Sequence, residues 1–201
     1  NILALITKLQ QFTSHPSLLN KAQGSTVNSL IAESEKFKRL FELLSEIYLR
    51  KEKVLVFANH HAIIDIISES VQDKFSAQTF NIDGRIDVAE RQTIIDTFSA
   101  VKGFSLLVLN PKTAGMGLNI TSANHVIHYS RQWNPALEEQ ATARSFRNGQ
   151  TKDVNVYYLF YVDTIEEVID ERLRLKRELA DNVISIVDEK NCETKFYIEN
   201  I

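Results

Sequence analysis

In the stretch QATARSFRNGQ (140–150), Gln140, Arg144 and Arg147 stand at i, i+4 and i+7, so on a helix they share one face. Two planar guanidinium forks aimed one way suit a polyphosphate better than a lone carboxylate. Gly149 fits a left-handed cap, which places Arg147 at a helix end, where the dipole favours a cation. An arginine delivered from outside a nucleotide site stabilises the charge that develops during phosphoryl transfer. The plainer reading of the same spacing is a solvated arginine pair.

Two further stretches carry polar chemistry. In NPKTAGMGLNITSAN (110–124), Gly115 and Gly117 let the backbone approach a ligand and expose amide groups, a habit of phosphate- and ribose-binding turns. Lys112 and Thr113 suit a phosphate, and Asn119 suits a sugar hydroxyl or a bracing role; a tight crossover turn is the alternative. In SRQWNPALEEQ (130–140), Asn134-Pro135 reads as a helix entry, with asparagine as cap. Trp133, the single tryptophan, is either a lid over the sheet edge or a ring that touches nucleic acid.

Other chemistry is missing. The chain has no G-x-x-x-x-G-K followed by Ser or Thr, and no acidic pair closing an apolar strand to hold Mg2+. Asp170-Glu171 falls mid-helix and reads as a solvated face. His125 and His128 point to opposite faces of a strand, and His60-His61 has no cysteine partner, so no metal site is expected. Neither Cys192 nor any serine has a nucleophile's setting. Such a domain finishes a nucleotide site without building one alone.

The elements that position these residues alternate. KVLVFA (53–58), QTFNI (78–82), FSLLVLN (104–110), NHVIHYS (124–130) and VNVYYLFYV (154–162) read as strands. Helices are expected over roughly 60–71, 87–99 (burying Val88, Ile94, Ile95 and Phe98), 136–147 and 164–184, the last opened by a Thr164/Glu167 capping box. Ser34 caps a helix to about Leu49 that buries Phe37, Leu40, Phe41, Leu44 and Ile47. ILALITKLQQF opens the chain as a helix that His15-Pro16 ends, and residues 20–33 read as loop or linker. Strand–helix alternation implies an α/β fold with a parallel sheet covered on both faces. Ligands of such sheets sit at the strands' carboxyl ends, here just after Ala58, Ile82, Asn110, Ser130 and Val162.

Composition sets outer bounds. At 201 residues the chain supports one core with appended helices. A net charge of -3 argues against a wholly basic nucleic-acid coat, so any DNA contact is a local stripe. One cysteine fits a reducing compartment, and no apolar run reaches the roughly 20 residues of a membrane helix. No signal peptide is read at the start, and the chain, opening at Asn1, is expected to be part of a longer protein.

Taken in order, LQQFTSHPSLL (9–19), SEKFKRLFELL (34–44), KVLVFANH (53–60), DGRIDVAERQTIIDTF (83–98), residues 110–150 and DTIEEVIDERLRLKRELADNVI (163–184) resemble the second RecA-like lobe of SWI/SNF-type ATP-dependent DNA translocases, in helicase superfamily two. The most specific part is the Trp-Asn-Pro turn, followed by Gln-Ala, R-x-x-R and Gly149-Gln150. The resemblance implies a three-layer RecA-like lobe over 34–162, an N-terminal helix and linker over 1–33, a brace helix over 163–186 and a tail of no assigned role over 187–201.

It also implies roles. Arg144 and Arg147 would be arginine fingers reaching ATP and Mg2+ held mainly by an absent N-terminal lobe, with Gln140 supporting them. The Gly115–Asn119 turn, with Gly117, would lie against the nucleotide, and Asn59, Lys112 and Thr113 near the backbone of double-stranded DNA. The intact protein would be a DNA-dependent ATPase in the cytoplasm, at a bacterial nucleoid, or in a nucleus, and this chain alone would be inactive. Departures from the family pattern are Ala114 for the first glycine of its turn, and Ala143, Phe146 and Asn148 for the usual acidic or glycine, histidine and isoleucine residues. Two rivals share the fold: a strand-separating helicase lobe and a non-catalytic binding module.

Overall fold

The computed structural model describes residues 2–20, 25–114, 118, 120–132, 134–143, 153–183 and 194–200, the end of the long helix and the final strand by backbone alone. In chain order the elements are α1 (Ile2–Ser14), α2 (Ser17–Asn20), α3 (Val27–Glu33), α4 (Glu35–Leu49), β1 (Lys53–Phe57), α5 (His61–Phe75), β2 (Thr79–Ile82), α6 (Val88–Ala100), β3 (Ser105–Leu109), α7 (Pro111–Ala114), β4 (His125–His128), α8 (Pro135–Thr142), β5 (Val154–Phe160), α9 (Ile165–Val183) and β6 (Thr194–Asn200).

The strands form one sheet in the order β2-β3-β1-β4-β5-β6, and every pairing is parallel. Alternation in β1 sets the layers. Val54 and Val56 pack with Phe37, Leu40, Leu44, Ile63 and Ile67 of α4 and α5 on one face. Leu55 and Phe57 pack with Ile95 and Phe98 of α6 and with Ala141 of α8 on the other. β3 is buried along its whole length, as a central parallel strand must be. Each such aliphatic or aromatic side chain contributes about 1.5–3 kcal/mol by leaving water.

The chain runs from β1 out to the β2 edge, returns through β3, then crosses β1 to β4. The carboxyl ends of β3, β1 and β4 therefore meet where the winding reverses, the place such folds reserve for ligands.

Five readings of the sequence need correction. Part of the expected linker is helical: Thr26 caps α3 by accepting from Ser29 N–H at 3.2 Å, and buried His15 joins α3 to α1 through Leu30 O at 3.0 Å. Val88 is 67% exposed, and Arg91 takes its place on the buried side of α6, donating to Ile86 O at 2.9 Å. The cap of α9 is offset: Thr164 Oγ1 accepts from Glu166 N–H, and the Glu167 carboxylate from Asp163 N–H at 2.7 Å. α8 ends at Thr142 with Ala143 as its cap, short of the helix expected over 136–147; the tail, given no role by the sequence, adds β6, paired with β5 from Val154↔Thr194 to Phe160↔Asn200.

Candidate functional site

Asn59 follows β1 and sits half-buried at the sheet's reversal point. Its Nδ2 donates to Arg131 O at 3.3 Å, and its Oδ1 accepts from Gln132 Nε2. Its carbonyl accepts from Asn110 Nδ2 at 2.9 Å, and its N–H donates to Ser130 Oγ at 3.4 Å. One asparagine thus laces together the segments after β1, β3 and β4. Asn110 extends the lacing: its Oδ1 accepts from Lys112 N–H and its carbonyl from Thr113 N–H, both at 3.0 Å, which starts α7. Lys112 is exposed beside this junction, and Thr113 is buried beneath it.

A second network lies under the start of α8. Asn134 opens that helix, its side chain accepting from Ala136 N–H at 3.2 Å. Glu138, fully buried, receives Arg131 Nε at 3.0 Å, Nη2 at 3.2 Å and Gln132 N–H at 2.9 Å. The remaining guanidinium nitrogen, Nη1, donates to Asp170 of α9. The guanidinium plane lies over Tyr158, 4.6 Å from its centroid, and 5.8 Å from that of Phe160. Burial works against ionising Glu138, but His128 and Arg131 outweigh it and hold the carboxyl below its usual range. Burial likewise opposes the charge on Arg131, and Glu138 and then Asp170 outweigh it, raising its pKa. Asp170, expected on a solvated face, is therefore an ion-pair partner.

α8 is held at two more points. Ala141 is 1% exposed in the core, and Thr142 Oγ1 meets His128 Nε2 at 2.9 Å. His128 in turn stacks between Phe57 and Tyr158, at 5.1 and 4.8 Å. His125 projects to the opposite face, with Nε2 2.7 Å from Glu52 and its ring against Tyr157. With its inner side pinned by Glu138, Ala141 and Thr142, α8 leaves Gln140 exposed.

At the end of β2, Asp83 is buried between Arg85 (2.6 Å) and His61 Nδ1 (3.1 Å), and Arg85 also grips Asp65 through two bonds of 2.7 and 2.8 Å. This cluster holds two carboxylates on one guanidinium and braces the loop after β2.

Of the residues singled out by sequence, the structure gathers Asn59, Lys112 and Thr113 at the reversal point and places Gln140 on α8. Arg144, Arg147, Gly115, Gly117, Asn119 and Trp133 lie outside the described residues. The Arg131–Glu138–Asp170 set went unread, although one signal was available: an arginine directly after a strand, followed by a glutamate in the first turn of the next helix. No metal-holding group of three or more His, Cys, Asp or Glu residues occurs among the described residues, and no helix there is long and apolar enough to cross a membrane.

Comparison with known proteins agrees with this architecture. Residues 35–149 match the helicase conserved C-terminal domain model. A putative ATP-dependent helicase/translocase, YwqA of Bacillus subtilis, is 36% identical over 91% of this chain. The chain spans only 20% of that relative's length. The Sulfolobus solfataricus SWI2/SNF2 ATPase core in complex with dsDNA superimposes with a TM-score of 0.71 at 35% identity, covering 92% of this chain and 37% of that one. The C-terminal domain of the Sulfolobus solfataricus SWI2/SNF2 ATPase gives 0.69 at 31% identity, covering 93% and 74%.

Proposed function

We propose a function from one premise: the chain belongs to the helicase conserved C-terminal domain family, as a C-terminal lobe of the SWI2/SNF2 type. It serves as the second motor lobe of a double-stranded DNA translocase, an ATPase in its intact form. ATP and Mg2+ are held mainly by an N-terminal RecA-like lobe of the same protein. Closure of the two lobes brings Arg144 and Arg147 to the phosphates, and each cycle of closing and opening shifts the lobes along the DNA backbone. The working place is with DNA, in a bacterial nucleoid or a nucleus. The lobe proper runs over 34–162, with 1–33 packed on it and 163–186 as a brace.

One observation carries this reading most directly. The inner side of α8 is pinned to the sheet while Gln140 is exposed near its end, and the sequence reaches Arg144 and Arg147 within a few residues of that end. A face turned away from its own core suits groups meant for another lobe. Gln140 supports the guanidinium groups, and the Gly115–Asn119 turn, including Gly117, lies along the nucleotide. On the DNA side, exposed Lys112 meets a backbone phosphate, and Thr113 and Asn59 shape and brace the loops behind it; the Trp133 ring is assigned to the DNA from the sequence alone.

The test is Arg147→Ala in the intact protein. DNA-stimulated ATP hydrolysis is expected to fall by about 10³-fold or more, as for other arginine fingers, with DNA affinity within about twofold of wild type. Turnover close to wild type would remove the finger assignment.

A further inference from the structure

Arg131 stands between two elements that the proposed motor must keep in register. Its Nε and Nη2 reach Glu138 on α8 at 3.0 and 3.2 Å, and its Nη1 reaches Asp170 on α9. The guanidinium group is 1% exposed and Glu138 is fully buried, so neither exchanges its partner for water. Tyr158 and Phe160 of β5 confine the plane of the fork from the sheet side. Asn59 accepts from Gln132, the residue after Arg131, and donates to the Arg131 carbonyl, which ties the backbone here to the reversal point.

We infer that Arg131 is a positioning residue through which α9 sets the placement of α8, and with it the residues that α8 leads into, Arg144 and Arg147. The inference rests on the proposed ATPase function. A rigid planar fork with one arm on each helix couples their positions in a way that a flexible lysine or a purely apolar contact does not. A shift of α9 pulls on Asp170, turns the fork, and moves Glu138. α8 also packs against α7 and is held near its far end by Ala141 and Thr142, so the fork acts on its first turn. α9 is thereby more than a strut: its seating on the lobe decides whether the arginines face the phosphates in the closed state.

Asp170→Asn in the intact protein is the test. Asp170 is 19% exposed on its side chain, and Glu138 still neutralises Arg131 in the variant, so the fold is retained. The expected result is a kcat for DNA-stimulated ATP hydrolysis lowered about tenfold, with KM for ATP and DNA affinity within about twofold of wild type. Glu138→Gln lowers kcat in the same way. A kcat unchanged in Asp170→Asn, or a loss appearing only in KM or melting temperature, would overturn the inference. Wild-type protein with no DNA-stimulated hydrolysis would overturn the ATPase reading and this inference together, whereas an active wild type with a normal Asp170→Asn variant would overturn the inference alone.

Discussion

Asp83 closes β2 with its carboxylate 1% exposed, held by Arg85 at 2.6 Å and by His61 at 3.1 Å. Burial alone would raise its pKa, but the hydrogen bonds from Arg85 and then His61 outweigh it and bring the value down to about 2. An unfolded aspartate titrates near about 3.9. The folded state therefore binds its proton less readily, and the resulting stability is fully present above the unfolded value and lost as pH falls through the folded one. That pH-linked share is about 2 kcal/mol, discounted because Arg85 is half exposed. The destabilisation caused by Asp83→Asn should then be larger at pH 7 than at pH 3 in urea unfolding; an equal penalty at both would mean that the charge contributes nothing. Asp83-Gly84 was legible in the sequence as a turn after a strand. The second carboxylate on Arg85 was not, because Asp65 lies back in the first turns of α5, with β2 between them.

At the scale of elements, α4 and α9 are joined by a second buried pair, Lys36 Nζ to Glu166 Oε1 at 2.5 Å. Burial draws Lys36 below the usual lysine range even with Glu166 beside it. Glu166 also accepts from Tyr161 N–H at 3.1 Å, and Lys36 lies 5.0 Å from the centroid of the Tyr129 ring. Lys36→Met leaves a carboxylate buried without its counter-charge and should cost about 3–5 kcal/mol in chemical unfolding. Adding Glu166→Gln keeps an acceptor for Tyr161 N–H and should restore more than half of that loss; no restoration would mean that the charge is not the source of the cost. The long helices and central strands announced themselves by period. What escaped were the places where tertiary partners override period. Val88 has the hydrophobicity of a core residue but lies out in solvent, while the aliphatic stem of Arg91 is covered and its head bonds Ile86 O. α3 hid in a polar stretch because its helical signal is short and rests on Thr26 and a single buried residue, Leu30. β6 is a strand by virtue of β5 beside it, a pairing that no local pattern announces.

At the scale of the whole molecule, the parallel order β2-β3-β1-β4-β5-β6 gathers three strand ends at one edge, and Asn59 ties those ends together. The strand ends were readable because they follow from a simple period. The network beneath α8 was not, since Arg131 and Asp170 stand 39 residues apart and meet only once β4 and α9 are packed. The chain spans a fifth of the Bacillus relative it matches. Under the proposed function the lobe needs a partner, because its sequence has no G-x-x-x-x-G-K followed by Ser or Thr and no acidic pair closing an apolar strand. The most direct measurement is ATP hydrolysis, with and without duplex DNA, by the intact protein and by pure residues 1–201. The expected result is duplex-stimulated turnover by the intact protein and none above background by residues 1–201. Hydrolysis by residues 1–201 alone would contradict the claim that this lobe completes a site it cannot build.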